Sequence, residues 1–189
     1  TPPPEAQAPA PKLPVAVDAM GGDRGVEAVV GGALRACSEG LGPLILVGDE
    51  ARIRAALDEA GAGDAPIAIE PASEVIGMAE HPGRAARTKR NSSMHVGFRL
   101  VKDGRAVGFV SAGNTGAMMA VGLLTLRRLS GCDRPAIASC LPTAKDQVVL
   151  LDMGANVDCR ASHLAQFALM GAAYAEARLG RERPTVALL

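Results

Sequence analysis

Short apolar runs alternate with helical patterns along most of this 189-residue chain, and that alternation constrains the fold more than any single motif. The strand-like runs are Val15 to Asp18, Leu44 to Val47, Pro66 to Ile69, Val107 to Ser111, Ala136 to Cys140 and Val148 to Asp152. Helical patterns occupy Val26 to Ser38, Glu50 to Ala60, Ser92 to Lys102, Thr115 to Leu129 and Ser162 to Leu179. Strands separated by helices predict right-handed crossovers and an α/β fold: a mostly parallel sheet with helices on both faces, in a Rossmann-like three-layer α/β/α arrangement. The strand runs are continuously apolar, as burial on both faces requires. Ligands of such open sheets bind beyond the carboxyl ends of the strands, where loops lead into helix N-termini.

Three loops fall at that position. The central one is Val110-Ser111-Ala112-Gly113-Asn114-Thr115-Gly116-Ala117. Gly113 and Gly116 lack a Cβ, so the backbone can turn sharply and present its N–H groups, while Thr115 is expected to cap the next helix. Open N–H groups and the positive end of a helix dipole favour a phosphate or an oxyanion there. Asn114 offers an amide donor to an oxyanion and Thr115 a hydroxyl, and these two form the candidate catalytic set with Asn156. The other two loops are Ala19-Met20-Gly21-Gly22-Asp23 after Asp18, and Asp152-Met153-Gly154-Ala155-Asn156-Val157-Asp158. They add Asp18, Gly21, Gly22, Asp152 and Gly154 to Ser111, Gly113 and Gly116 as candidate binding residues. Convergence of all three loops on one crevice is an expectation from topology. Asp18, Asp23 and Asp152 also suit structural roles, accepting loop N–H bonds, and Asp158 suits a cap on the following helix. No G-x-G-x-x-G follows a strand and no G-x-x-x-x-G-K-[ST] occurs, which sets aside dinucleotide and P-loop nucleotide sites.

Arg84, Arg87, Lys89 and Arg90 form a dense basic run leading into Asn91-Ser92-Ser93. A solvated face is one reading of such a run. The other is a cationic lead into a helix capped by Ser92 or Ser93 near Met94, which makes Lys89 and Ser92 candidates for contact with phosphate or an acidic partner.

Composition removes several classes. Twenty basic and twenty acidic residues balance, so no global field draws the chain to nucleic acid or an anionic bilayer. Aromatic residues are 2% of the chain, too few for a single-strand binder that stacks bases. Cys37, Cys132, Cys140 and Cys159 form no C-x-x-C pair, and His81, His95 and His163 are scattered, so free thiols in a reducing cytoplasm are favoured over a disulfide framework or a metal site. No apolar run approaches the ~20 residues needed to span a bilayer. Residues 1–13 are Pro- and Ala-rich without an apolar face and are expected to be a disordered lead-in. One α/β domain is expected over 14–189, cut short at its C-terminal end, because Pro184 to Leu189 is strand-like with no turn after it.

The three loops carry a resemblance. The DAMGGD start, the central SAGNTGA and the D-x-GANVD loop resemble the phosphate acyltransferases of bacterial phospholipid synthesis (the PlsX family). Further matches are His81 to Arg87, Lys89 to Met94, Asp133 to Ala136 and His163 to Ala168, so the likeness runs from about Val15 to the last residue. It implies an enzyme that moves an acyl group from acyl carrier protein to inorganic phosphate, with a fold like that of phosphotransacetylases and isocitrate dehydrogenases. It also implies a homodimer, no metal or organic cofactor, and a cytoplasmic protein associated at most peripherally with the membrane, near the glycerol-3-phosphate acyltransferase that acts downstream. A phosphate acetyl- or butyryltransferase using acyl-CoA and a non-catalytic phosphometabolite-binding domain remain the alternatives.

Overall fold

The computed structural model describes residues 12–156 and 158–189. The expected disorder of the lead-in therefore lies, up to position 11, outside the described residues. Two compact units divide the chain, one ending at Leu126 and one running from Arg127 to Leu189.

In the first unit four strands form a parallel sheet: β1 (Val15–Asp18), β2 (Leu44–Gly48), β3 (Ile67–Pro71) and β4 (Gly108–Val110). Their spatial order is β3-β2-β1-β4. The chain steps outward from β1 to β2 and β3, then returns to lay β4 on the other side of β1. Strand order thus reverses between β1 and β4, the position where open α/β sheets leave a crevice.

Helices cover both faces. α1 (Gly25–Ser38) and α2 (Glu50–Glu59) bury Val26, Val30, Ala33, Ile53 and Ala56 with Leu44 and Leu46 of β2. The alternate residues Ile45 and Val47 join Ala16 and, on the other face, Val96 and Leu100 of α4 (Ser93–Lys102). A period of two thus divides one apolar strand between two cores. α3 (Pro82–Thr88) and α5 (Thr115–Thr125) form a third cluster with α4, through Ala85, Ala86, Met94, Ala117 and Val121.

The sequence pattern missed α3. It has seven residues and contains Gly83, too little for a helical period to show, but Pro82 at its first turn and buried Ala85 and Ala86 beneath exposed Arg84 and Arg87 account for it. α5 is shorter than the expected Thr115 to Leu129: it closes at Leu126, and Arg127 takes a left-handed φ of 68°.

The second unit holds an antiparallel pair, β5 (Ala138–Pro142) and β6 (Gln147–Leu151), and α6 (Ala161–Leu179). The two strands join by a tight turn in which Thr143 N–H donates to the Asp146 carbonyl (2.7 Å) and Asp146 N–H to Thr143 Oγ1 (3.0 Å). Gly180 ends α6 in the left-handed region, at φ 65°. No described helix is long and apolar enough to cross a membrane.

Candidate anion-binding site

Asp18 ends β1 and is 2% exposed. One carboxylate oxygen accepts from Met20 N–H (3.0 Å) and the other from Ser111 Oγ (2.7 Å), and Ser111 Oγ in turn accepts from Gly113 N–H (3.0 Å). This relay locks the loop after β1 to the loop after β4. Gly21 sits where a Cβ would lie 2.8 Å from Asp18 Oδ2 and 2.9 Å from Gly113 N, so the two loops close only around a bare Cα. Gly22, at φ 90°, turns the first loop toward α1. Asp18, Gly21, Gly22, Ser111, Gly113, Asn114, Thr115 and Gly116 are thus carried by two neighbouring loops at the reversal of strand order.

Asn114, not Thr115, caps α5. Its Oδ1 accepts from Ala117 N–H at 3.0 Å. Its Nδ2 donates to the carbonyls of Gly77 (3.5 Å), Met78 (3.0 Å) and Glu80 (3.1 Å). The side chain is 8% exposed, and both of its ends are engaged in a clamp between α5 and the strap 75–80. The cap satisfies one first-turn donor. Thr115 and Gly116 N–H find no partner among the described residues, as the first positions of a helix require, and the Thr115 side chain is exposed. The two central glycines answer to packing as well: a Cβ on Gly113 would meet Met94 Cε at 2.7 Å, and one on Gly116 would meet Pro82 Cγ at 2.7 Å.

Lys89 is not a free cation. Its Nζ donates to Glu80 Oε1 (2.5 Å) and to the Val75 carbonyl (2.7 Å). Glu80 also accepts from Gly77 N–H (2.7 Å), and these bonds hold its carboxyl below the usual carboxylate range, Lys89 being the larger cause. Ser92 caps α4, which begins at Ser93, by accepting from His95 N–H (3.4 Å), and its hydroxyl is 2.9 Å from His95 Nδ1. Ser92 is fully buried, a structural role. His95 is buried too, and its pKa is lowered first by that burial and then by Arg99. Arg84, Arg87 and Arg90 remain exposed.

The third loop lies in the second unit. Asp152 Oδ1 accepts from Ile137 N–H (2.7 Å), and Oδ2 accepts from Asn156 N–H (2.6 Å) and Nδ2 (3.1 Å). Asn156 Nδ2 also donates to the Pro135 carbonyl (3.0 Å), and Gly154 turns the loop at φ 81°. Asp152 is therefore a brace, and the amide of Asn156 is committed to it. Asp158 does not cap α6: that position is Arg160, whose N–H donates to His163 Nδ1 (3.2 Å), while the Asp158 carbonyl accepts from Arg134.

Two concavities, of about 370 Å³ within residues 127–133 and about 570 Å³ between α2 and β3, contain none of these residues. Among the described residues no group of three or more His, Cys, Asp or Glu is placed to hold a metal ion.

Residues 13–189 match the family described as fatty acid synthesis protein. The chain belongs to this family. It is 52% identical over 175 residues to a phosphate acyltransferase from Trichlorobacter lovleyi, covering 93% of this chain and 51% of that one. It is 54% identical over 177 residues to the phosphate acyltransferase of Anaeromyxobacter sp. strain Fw109-5, covering 93% and 49%. The chain thus spans about half the length of the curated relatives it matches. Among solved structures, the EutD phosphotransacetylase from Staphylococcus aureus superposes with a TM-score of 0.62 at 20% identity, covering 86% of this chain and 53% of that one. That likeness establishes the α/β fold shared with a phosphotransacetylase.

The sequence motifs do not point to two side chains that brace this region. Glu80 lies outside them, its one signal a carboxylate nine positions before a lysine. His95 stands three positions after Ser92, an N-cap spacing, and that spacing accounts for its contact with the Ser92 hydroxyl.

Proposed function

We propose that this chain supplies the phosphate cradle of a phosphate acyltransferase that forms acyl phosphate from a fatty acyl thioester of acyl carrier protein. One observation carries the reading: α5 starts at the reversal of strand order with the N–H groups of Thr115 and Gly116 open and the exposed Thr115 side chain beside them. Backbone donors and the helix dipole converge there on a dianion.

The chemistry asks for placement. A phosphate oxygen attacks the thioester carbonyl, the C–O bond forms as the C–S bond breaks, and the phosphate proton ends on the departing sulfur. Acyl phosphate and free thiol result in equal amounts. A thiol of pKa near ~8.5 leaves readily, so no protein nucleophile is required. In this scheme Thr115 contacts phosphate, Asn114 positions α5, and Asp152 and Asn156 shape the second unit's loop. Exposed Arg84, Arg87 and Arg90 suit an acidic carrier protein. A homodimer, peripheral contact with the membrane beside a glycerol-3-phosphate acyltransferase, and a cytoplasmic site of action accompany the same proposal.

The phosphotransacetylase fold favours a second reading in which acyl-CoA is the donor. Full-length protein given long-chain acyl carrier protein or acyl-CoA, with free thiol and hydroxylamine-trapped acyl phosphate both measured, separates them. The proposal expects equal yields of both products from the carrier-protein thioester and slow turnover of acyl-CoA. A preference for acyl-CoA would establish the second reading, and phosphate binding without thioester cleavage would leave a binding domain.

A further inference from the structure

Glu80 fastens the strap that Asn114 grips. Its Oε1 accepts from Lys89 Nζ and from Gly77 N–H, and Lys89 Nζ reaches back to the Val75 carbonyl. Those bonds close residues 75–80 on themselves and bring the carbonyls of Gly77, Met78 and Glu80 to one point, Asn114 Nδ2. With the amide plane fixed there, Oδ1 of the same side chain meets Ala117 N–H in α5. Two residues beyond Glu80, the Pro82 ring at the start of α3 stands against Gly116, so the segment the strap leads into also braces the first turn of α5.

We propose that Glu80 is a positioning residue of the anion cradle: through Lys89 and the strap carbonyls it fixes Asn114, and through Asn114 the open N–H groups of Thr115 and Gly116. The inference rests on the phosphate reading above. It makes a claim about sign that simple electrostatics opposes. Glu80 is ionised at neutral pH, since Lys89 and Gly77 hold its pKa down. Removing a carboxylate near an anion site and freeing its lysine would, through charge alone, strengthen anion binding. If Glu80 acts by holding geometry, its removal weakens binding instead.

The test measures the Kd of inorganic phosphate by calorimetry on full-length wild type, Glu80→Ala, Glu80→Gln, Lys89→Met and the Ala/Met double variant, each well below its own Tm. Glu80→Ala is expected to weaken phosphate binding by about tenfold. Glu80→Gln keeps an oxygen for Gly77 N–H and Lys89 and should stay within about threefold of wild type. The double variant should bind no worse than the weaker single one, because both break the same strap. KM for phosphate should rise while KM for the thioester stays put. Phosphate binding that is unchanged or tighter in Glu80→Ala, with or without a lowered Tm, overturns the proposal. Wild type that binds phosphate but makes no acyl phosphate removes the transferase reading and leaves the Glu80 comparison readable from Kd. Wild type that binds no phosphate removes both.

Discussion

Ser111 Oγ donates to Asp18 Oδ2 at 2.7 Å and thereby ties the carboxyl end of β4 to that of β1 where strand order reverses. Ser111→Ala leaves a nearly fully buried carboxylate and the Gly113 N–H each short of a partner. The expected cost is ~1–3 kcal/mol in urea unfolding, with weakened phosphate binding. A stability change below ~0.5 kcal/mol would show that the two loops close without this bond.

Asn114 does two jobs that substitution separates. Asn114→Ser keeps an oxygen for the helix cap and loses the grip on the strap carbonyls; Asn114→Ala loses both. Stability should fall in the order Asn, Ser, Ala, with the cap accounting for ~1 kcal/mol of the difference between the last two. Equal unfolding midpoints for Ser and Ala would remove the cap from the account.

Most strand and helix positions of the first unit were legible because continuously apolar runs such as β2 and helical periods such as those of α1 and α4 each have one packing solution, whereas α3 is too short to show a period. The central loop was legible as a strand-to-helix turn for the same reason: a glycine-bearing turn between a strand and a helix leaves donors open whatever its details. What could not be read was how polar side chains spend their bonds. Asn114 and Asn156 offer the same groups on paper to a ligand or to a carbonyl, and only the fold shows Gly77, Met78 and Glu80 facing one and Pro135 and Asp152 the other. The pairing of Lys89 with Glu80 could not be read either, because it spans α3, a helix too short to show in the sequence pattern. The β5–β6 pair is antiparallel, because no helix stands between its two strand-like runs to carry a crossover.

Glycines in this chain divide sharply by surroundings. A Cβ on Gly97 would lie 2.1 Å from the Phe109 ring, which packs edge-on against Phe98 at 5.2 Å between centroids. Gly97→Ala should destabilise by ~1–3 kcal/mol or more. Gly31→Ala, in α1 with nothing within 4 Å, should stabilise by ~0.5–1 kcal/mol. Thermal unfolding of the pair checks both signs at once.

His95 gives the fold a pH dependence. Burial, reinforced by Arg99 and Arg90 and opposed by the Ala86 carbonyl and Glu74, lowers its pKa from the ordinary 6.5. The unfolded chain then binds a proton that the folded chain refuses, so stability is complete above pH ~6.5 and falls as the pH drops toward the lowered folded value. His95→Gln should flatten that part of the stability profile. An unchanged slope between pH 5 and 7 would assign the dependence to another group.

The central claim is that phosphate sits on the first turn of α5. Backbone amide NMR of the full-length protein during titration with inorganic phosphate, at constant ionic strength, tests it most directly. The account predicts saturable shifts of the Thr115 and Gly116 amides that Glu80→Ala weakens. Saturable shifts confined to other amides, such as those of the Asp152 to Asn156 loop, with Thr115 and Gly116 unmoved, would contradict it.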